Sequence, residues 1–162
     1  MLRGGGVQLV IDVRTIPRSR TNPRYNADVL GEELAPWQVA YDRIPGLGGL
    51  RGRAHDVAPE VNAFWNNRSF HNYADYALSD AFAEALAELM TRAAVTPTAI
   101  MCSEAVWWRC HRRIIADYLL LHGRSAFHLM GEGRIEPARM TTAAAARDGH
   151  LVYPASADET PA

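Results

Sequence analysis

The chain has 162 residues, a formal net charge of −1 and an apolar fraction of 48%. That size suits one globular domain burying roughly two-thirds of its unfolded surface, and near-neutrality argues against a broad electrostatic grip on nucleic acid or an acidic membrane. No apolar run approaches the roughly 18 residues of a membrane-spanning helix.

All 17 basic residues are arginine, so every positive side chain is a planar fork suited to carboxylate or phosphate. Cys102 and Cys110 are the two cysteines, too few for a secreted disulfide framework, and the N-terminus carries no signal-peptide pattern. A reduced, cytoplasmic protein is expected, its thiols kept for packing, metal or reactivity rather than as a staple.

In chain order, Val7 to Val13 is an apolar, β-branched run preceded by glycines and predicts a buried strand. Arg14 to Arg24 holds two prolines and four arginines and predicts a loop. Asn26 is placed to cap a short helix running to about Ala35, before Pro36. Val39 to Ile44 predicts a second strand, closed by Pro45-Gly46 and Gly48-Gly49. Leu50 to Asn72 is irregular and polar, long enough to be functional or partly structured. From Tyr73 to Ala94 the pattern is helical, with Ser79-Asp80 as a start signal and Phe82, Leu86, Leu89 and Met90 as an apolar stripe.

Pro97 to Cys102 predicts a third strand, Arg109 to His122 a helix stopped by Gly123, and Ser125 to Met130 a fourth strand. An alanine-rich helix is expected from Pro137 to about Arg147. Alternating strands and helices predict a single three-layer α/β domain over residues 1–154. Its sheet is mainly parallel, of about four strands, with helices on both faces, and a flexible tail covers 155–162. In such folds ligands bind beyond the carboxyl ends of the strands. Asp12 to Arg14, Ile44 to Gly49 and Cys102 to Glu104 are therefore expected to share one rim.

The stretch Cys102 to Arg113 packs two thiols, a carboxylate, an imidazole, two indoles and three guanidinium groups into twelve residues. A thiol near a helix start and beside arginine loses proton affinity. Cys102 is the candidate nucleophile, with Glu104 or His111 handling protons. The plain alternatives are a buried small hydrophobe for Cys102 and a packed structural residue for His111. A cysteine-phosphatase or rhodanese loop fits poorly. Cys102 and Arg109 stand too far apart, the loop lacks glycine, and Glu104 repels an anion. Zinc on Cys102, Cys110 and His111 has three suitable donors, but adjacent Cys110 and His111 are not expected to aim at one ion, so no metal is assigned. Asp12 and Arg14 either pair to fix a loop or place Arg14 on an anionic ligand. Gly48 and Gly49 permit a positive φ or the close approach of a ligand. Asn72, Tyr73 and Tyr76 read as capping and aromatic packing.

Four segments carry a resemblance: Asp12-Val13-Arg14 with Pro17 and Ser19; Leu47-Gly48-Gly49; Asn72-Tyr73-Ala74-Asp75-Tyr76; and Cys102-x-Glu104-Ala105 followed by Cys110-His111-Arg112 and Ile115-Ala116. Together they resemble the family known as domain of unknown function 488, over about residues 8 to 129. The resemblance implies a compact α/β domain and lends no reaction, cofactor or partner. Members usually begin with a strand like Thr-Ile-Gly-His-Ser and a helix. Met1 to Gly6 resembles only the end of that helix, so a start upstream of Met1 is expected.

The leading expectation is a small thiol-dependent hydrolase or transferase acting on a phosphate-bearing or nucleotide-like ligand. Cys102, Glu104 and His111 would be catalytic, with Asp12, Arg14, Arg109, Cys110 and Arg112 around the ligand. The alternatives are a nucleic-acid-binding module using the arginine loop and Trp107-Trp108, or a redox-responsive pair of Cys102 and Cys110.

Overall fold

The structure is a computed structural model and describes residues 1–131 and 133–155. Three strands, β1 (Leu9–Asp12), β2 (Ala40–Arg43) and β3 (Thr98–Met101), form a parallel sheet in the order β2-β1-β3. Asp12 at the end of the central strand pairs with Arg43 on one side and Met101 on the other. Side chains alternate across β1 with the period of two. Leu9, Ile11 and Val13 join the large core, and Val10 joins a smaller cluster with Val7 and Val39.

The large core draws Tyr73 from α2 (Arg68–Tyr76), Phe82, Leu86 and Leu89 from α3 (Asp80–Val95), and Ile114, Ile115 and Tyr118 from α4 (Arg112–Leu121). The smaller cluster takes Leu34 from α1 (Ala27–Leu34). The fold is therefore mixed helix and sheet, as its alternating pattern implies.

Several boundaries differ from expectation for identifiable reasons. The segment from Tyr73 to Ala94 belongs to two helices. Ser79 Oγ accepts from Phe82 N and starts α3, while Asn67 Oδ1 accepts from Ser69 N at 2.9 Å and starts α2 well upstream of Tyr73. Asn26 stands at the N-cap of α1 but turns its Oδ1 to Ser19 N, pinning the preceding loop. The helix expected from Arg109 begins at Arg112, after a 3-10 turn over Trp107–Arg109, and Gly123 ends it with φ +69°.

Among the described residues the parallel sheet has three strands rather than the expected four. The expected fourth, β4 (Phe127–Leu129), folds back through Gly131 and Gly133, both at positive φ, and pairs antiparallel with β5 (Ile135–Pro137). The expected alanine-rich helix is absent. Its end forms β6 (Ala145–Arg147), paired with β7 (His150–Val152) around Asp148-Gly149. Both turn residues have positive φ, the hairpin chemistry that outranks alanine's helix propensity. Asp117 Oδ1 also holds Thr141 N at 2.9 Å, fixing the approach to this hairpin. The tail expected from Ala155 lies, from position 156 onward, outside the described residues. Among the described residues no helix is long and apolar enough to cross a membrane.

Candidate functional site

The chain leaves β1 for β2 on one side and later enters β3 on the other, so the loops beyond β1 and β3 diverge. A crevice opens at such a switch point, outside the carboxyl ends of the strands. Here it is a cavity of about 370 Å³, bordered by Arg14 and Thr15 after β1, Gly49 after β2, Cys102 and Glu104 after β3, and His111 before α4. The three strand-end segments do share one rim.

On the cavity floor, Cys102 and Cys110 Sγ and a ring nitrogen of His111 all lie within 4.8 Å of one another. His111 Nδ1 stands 3.6 Å from Cys110 Sγ and 3.9 Å from Cys102 Sγ. Its other nitrogen, Nε2, is 3.2 Å from the Val13 carbonyl oxygen. A carbonyl only accepts, so Nε2 carries the proton and Nδ1 turns its lone pair to the sulfurs. The 3-10 turn at Trp107–Arg109 swings Cys110 back beneath Cys102, so adjacent Cys110 and His111 converge, contrary to expectation.

The two thiols are unlike. Cys110 is buried, with 3% exposure, whereas Cys102 is half-buried and borders the cavity. A hydrogen bond from Cys110 and one from the Glu104 amide hold the Cys102 thiol well below the ordinary cysteine range, against burial, and His111 adds to this once its Nδ1 has taken up the thiol proton. Donating to Cys102 pushes Cys110 upward, burial adds to this, and Arg112 opposes it. Of the two thiols, Cys102 is the one whose surroundings favour the thiolate.

Gly49 explains why His111 reaches this position. A Cβ there would lie 2.3 Å from His111 Nδ1, so the glycine serves the approach of the imidazole and not a positive φ. The Asn72-Tyr73-Tyr76 segment clamps the same loop. Tyr73 Oη donates to the Leu47 carbonyl at 2.8 Å, Tyr76 Oη to that of Gly46 at 2.7 Å, and Asn72 Nδ2 to that of Arg51 at 3.0 Å. Tyr73 also packs its ring 4.8 Å from that of His111. These site-building residues read as ordinary packing in the sequence; the tyrosine spacing of one helical turn was the available signal.

The arginines divide. Arg14 is buried and committed: its Nε donates to both Asp12 oxygens at 2.9 and 3.0 Å, and a terminal nitrogen donates to Asp12 Oδ2 at 2.6 Å and to the Tyr25 carbonyl at 2.7 Å. Arg112 Nε donates to Cys110 Sγ at 3.2 Å and its terminal nitrogen to the Glu104 carbonyl. Arg109 is exposed at the cavity wall and makes no ion pair among the described residues. Asp12 is fully buried and also accepts from Tyr41 Oη at 2.7 Å. Burial alone would raise its carboxyl, but the Arg14 and Tyr41 hydrogen bonds outweigh it and hold it below the usual range. Asp12 and Arg14 thus fix the loop beyond β1. Trp107 stacks on His128 with ring centroids 4.0 Å apart, so its face is already covered.

Fold and site define an α/β protein with a thiol–imidazole cluster at the switch point of a parallel sheet. The chain belongs to the family described as Domain of unknown function DUF488, whose model matches residues 1–119. No curated protein and no solved structure matches it.

Proposed function

We propose that the chain is a small thiol-dependent hydrolase or transferase whose nucleophile is Cys102. The carrying observation is the position of its sulfur on the cavity floor, 3.9 Å from a His111 nitrogen whose lone pair faces it. In the attack, the Cys102 sulfur forms a bond to an electrophilic carbon or phosphorus while the leaving group departs. His111 Nδ1 holds the thiol proton and gives it to that leaving group. Water, or a second acceptor in a transferase, then displaces the sulfur, and Glu104 on the same wall takes the proton of the incoming nucleophile.

Arg109 supports a small anionic, phosphate-bearing or nucleotide-like ligand, since it borders the cavity and makes no ion pair among the described residues. Arg14 and Arg112 act behind it, through Asp12 and Cys110. A reducing compartment such as the cytoplasm suits two free thiols.

Competition labelling tests the reading. Iodoacetamide, with chelator present, is expected to modify Cys102 and spare Cys110, and millimolar phosphate or a nucleoside monophosphate is expected to slow it. Arg109→Ala is expected to abolish that protection. Modification of Cys110 first would overturn the assignment of the nucleophile; protection that persists in Arg109→Ala would overturn the anion contact.

A further inference from the structure

Two sulfurs and an imidazole nitrogen meeting at a cavity floor form a donor set as well as a catalytic one. Zinc binds thiolate sulfur at about 2.3 Å and imidazole nitrogen at about 2.0–2.1 Å, so neighbouring corners of its tetrahedron lie about 3.6 Å apart for sulfur and nitrogen. The observed separations are 3.6 Å and 3.9 Å, and all three donors fall within 4.8 Å of each other. The outer surroundings are those of a ligated site as well. A ligating imidazole donates its other N–H to a fixed acceptor, which sets the tautomer and the ring plane. Here that acceptor is the Val13 carbonyl. Arg112 Nε supplies an N–H···S contact to Cys110 at 3.2 Å.

We infer that Cys102, Cys110 and His111 form a three-donor site for a thiophilic divalent cation, zinc being the best match, with its fourth corner open to the cavity. Two thiolates balance the charge of the ion, and soft sulfur favours zinc over magnesium or calcium. Loading engages the Cys102 sulfur and the His111 lone pair together. Since this rests on the nucleophile reading for its consequence, bound zinc is a reversible cap on the proposed reaction. The donors release their thiol protons to solvent as the ion enters, and a chelator reverses the step with no change in oxidation state.

Cobalt(II) titration of the reduced, metal-free full chain tests the site without reference to catalysis. One cobalt per chain is expected, with thiolate-to-metal charge transfer and the strong visible bands of tetrahedral coordination, displaced by zinc. Cys110→Ser and His111→Ala are each expected to weaken binding at least tenfold, and zinc is expected to raise the thermal midpoint of the wild type only. A spectrum of octahedral aqueous cobalt, or binding unchanged in both variants, would overturn the site. Zinc is further expected to block alkylation of Cys102, and labelling unaffected by saturating zinc would overturn the cap. Slow alkylation of the metal-free protein would remove the nucleophile reading alone, since the cobalt spectrum does not depend on it.

Discussion

The ends of β1 and β3 lie side by side in the sheet, Asp12 in register with Met101, and each carries a polar cluster that the sequence marks. They have opposite characters. Asp12 spends its oxygens on Arg14 and Tyr41, inside the protein, in a closed and saturated pair. The Cys102–Cys110–His111 cluster keeps a lone pair and a half-buried sulfur facing a cavity. A polar group whose valences are all met from within holds shape, and one with a valence left over is the candidate for chemistry. The difference teaches that location at a strand end nominates a residue, and the inventory of its partners decides.

The largest effect is expected on the closed side. Asp12→Ala leaves Arg14 buried and charged without its partner, a loss typically of about 3–5 kcal/mol, read by denaturant unfolding. A loss under about 1 kcal/mol would show that the pair is not the anchor described. Gly49→Ala probes the open side. Its Cβ would meet His111 Nδ1, and displacing the imidazole is expected to cost about 1–3 kcal/mol and to remove the enhanced reactivity of Cys102. Gly52→Ala, with nothing within 4 Å, is the control and should be near neutral. Tyr73→Phe orphans the buried Leu47 carbonyl and is expected to cost about 1–3 kcal/mol, toward the lower end because only one hydroxyl is lost.

The smallest effect is in pH dependence. Asp12 has its folded pKa below the unfolded value. Its contribution is full above the ordinary carboxylate range and is lost as pH falls through the folded pKa. Asp117, raised mainly by burial, has the opposite sign. Its contribution is full below the ordinary range and is lost as pH rises through its folded pKa. Asp12→Asn should therefore flatten the acid decline of stability, and Asp117→Asn should relieve a decline that sets in above the ordinary carboxylate range. Equal slopes in wild type and Asp12→Asn would contradict the partner assignment.

The central strand was legible because a buried parallel strand is a continuous apolar run, as Val10, Ile11 and Val13 show, while the polar edge strand β2 was marked by Val39 and Ile44 at its ends and the Pro45-Gly46 turn that closes it. The segment after β4 was not. Ala143 to Ala146 favours helix locally, but Asp148-Gly149 turns the chain and Asp117 anchors Thr141 from a distant helix. Cys102 and His111 were legible as candidates by chemical type. Their convergence was not, because it depends on a 3-10 turn and on the space at Gly49. The roles of Tyr73 and Tyr76 were hidden for a similar reason. Their hydroxyls serve carbonyls some thirty positions away in the chain, a pairing that no local pattern encodes.

The central claim is that the fold itself makes the Cys102 sulfur reactive. The most direct measurement is the second-order rate of its alkylation at neutral pH, in chelator, for the native chain and for the same chain in denaturant. The account predicts faster modification of Cys102 in the native protein, with Cys110 protected, and a lowered native rate in Gly49→Ala. A native Cys102 that reacts more slowly than the unfolded one would contradict it.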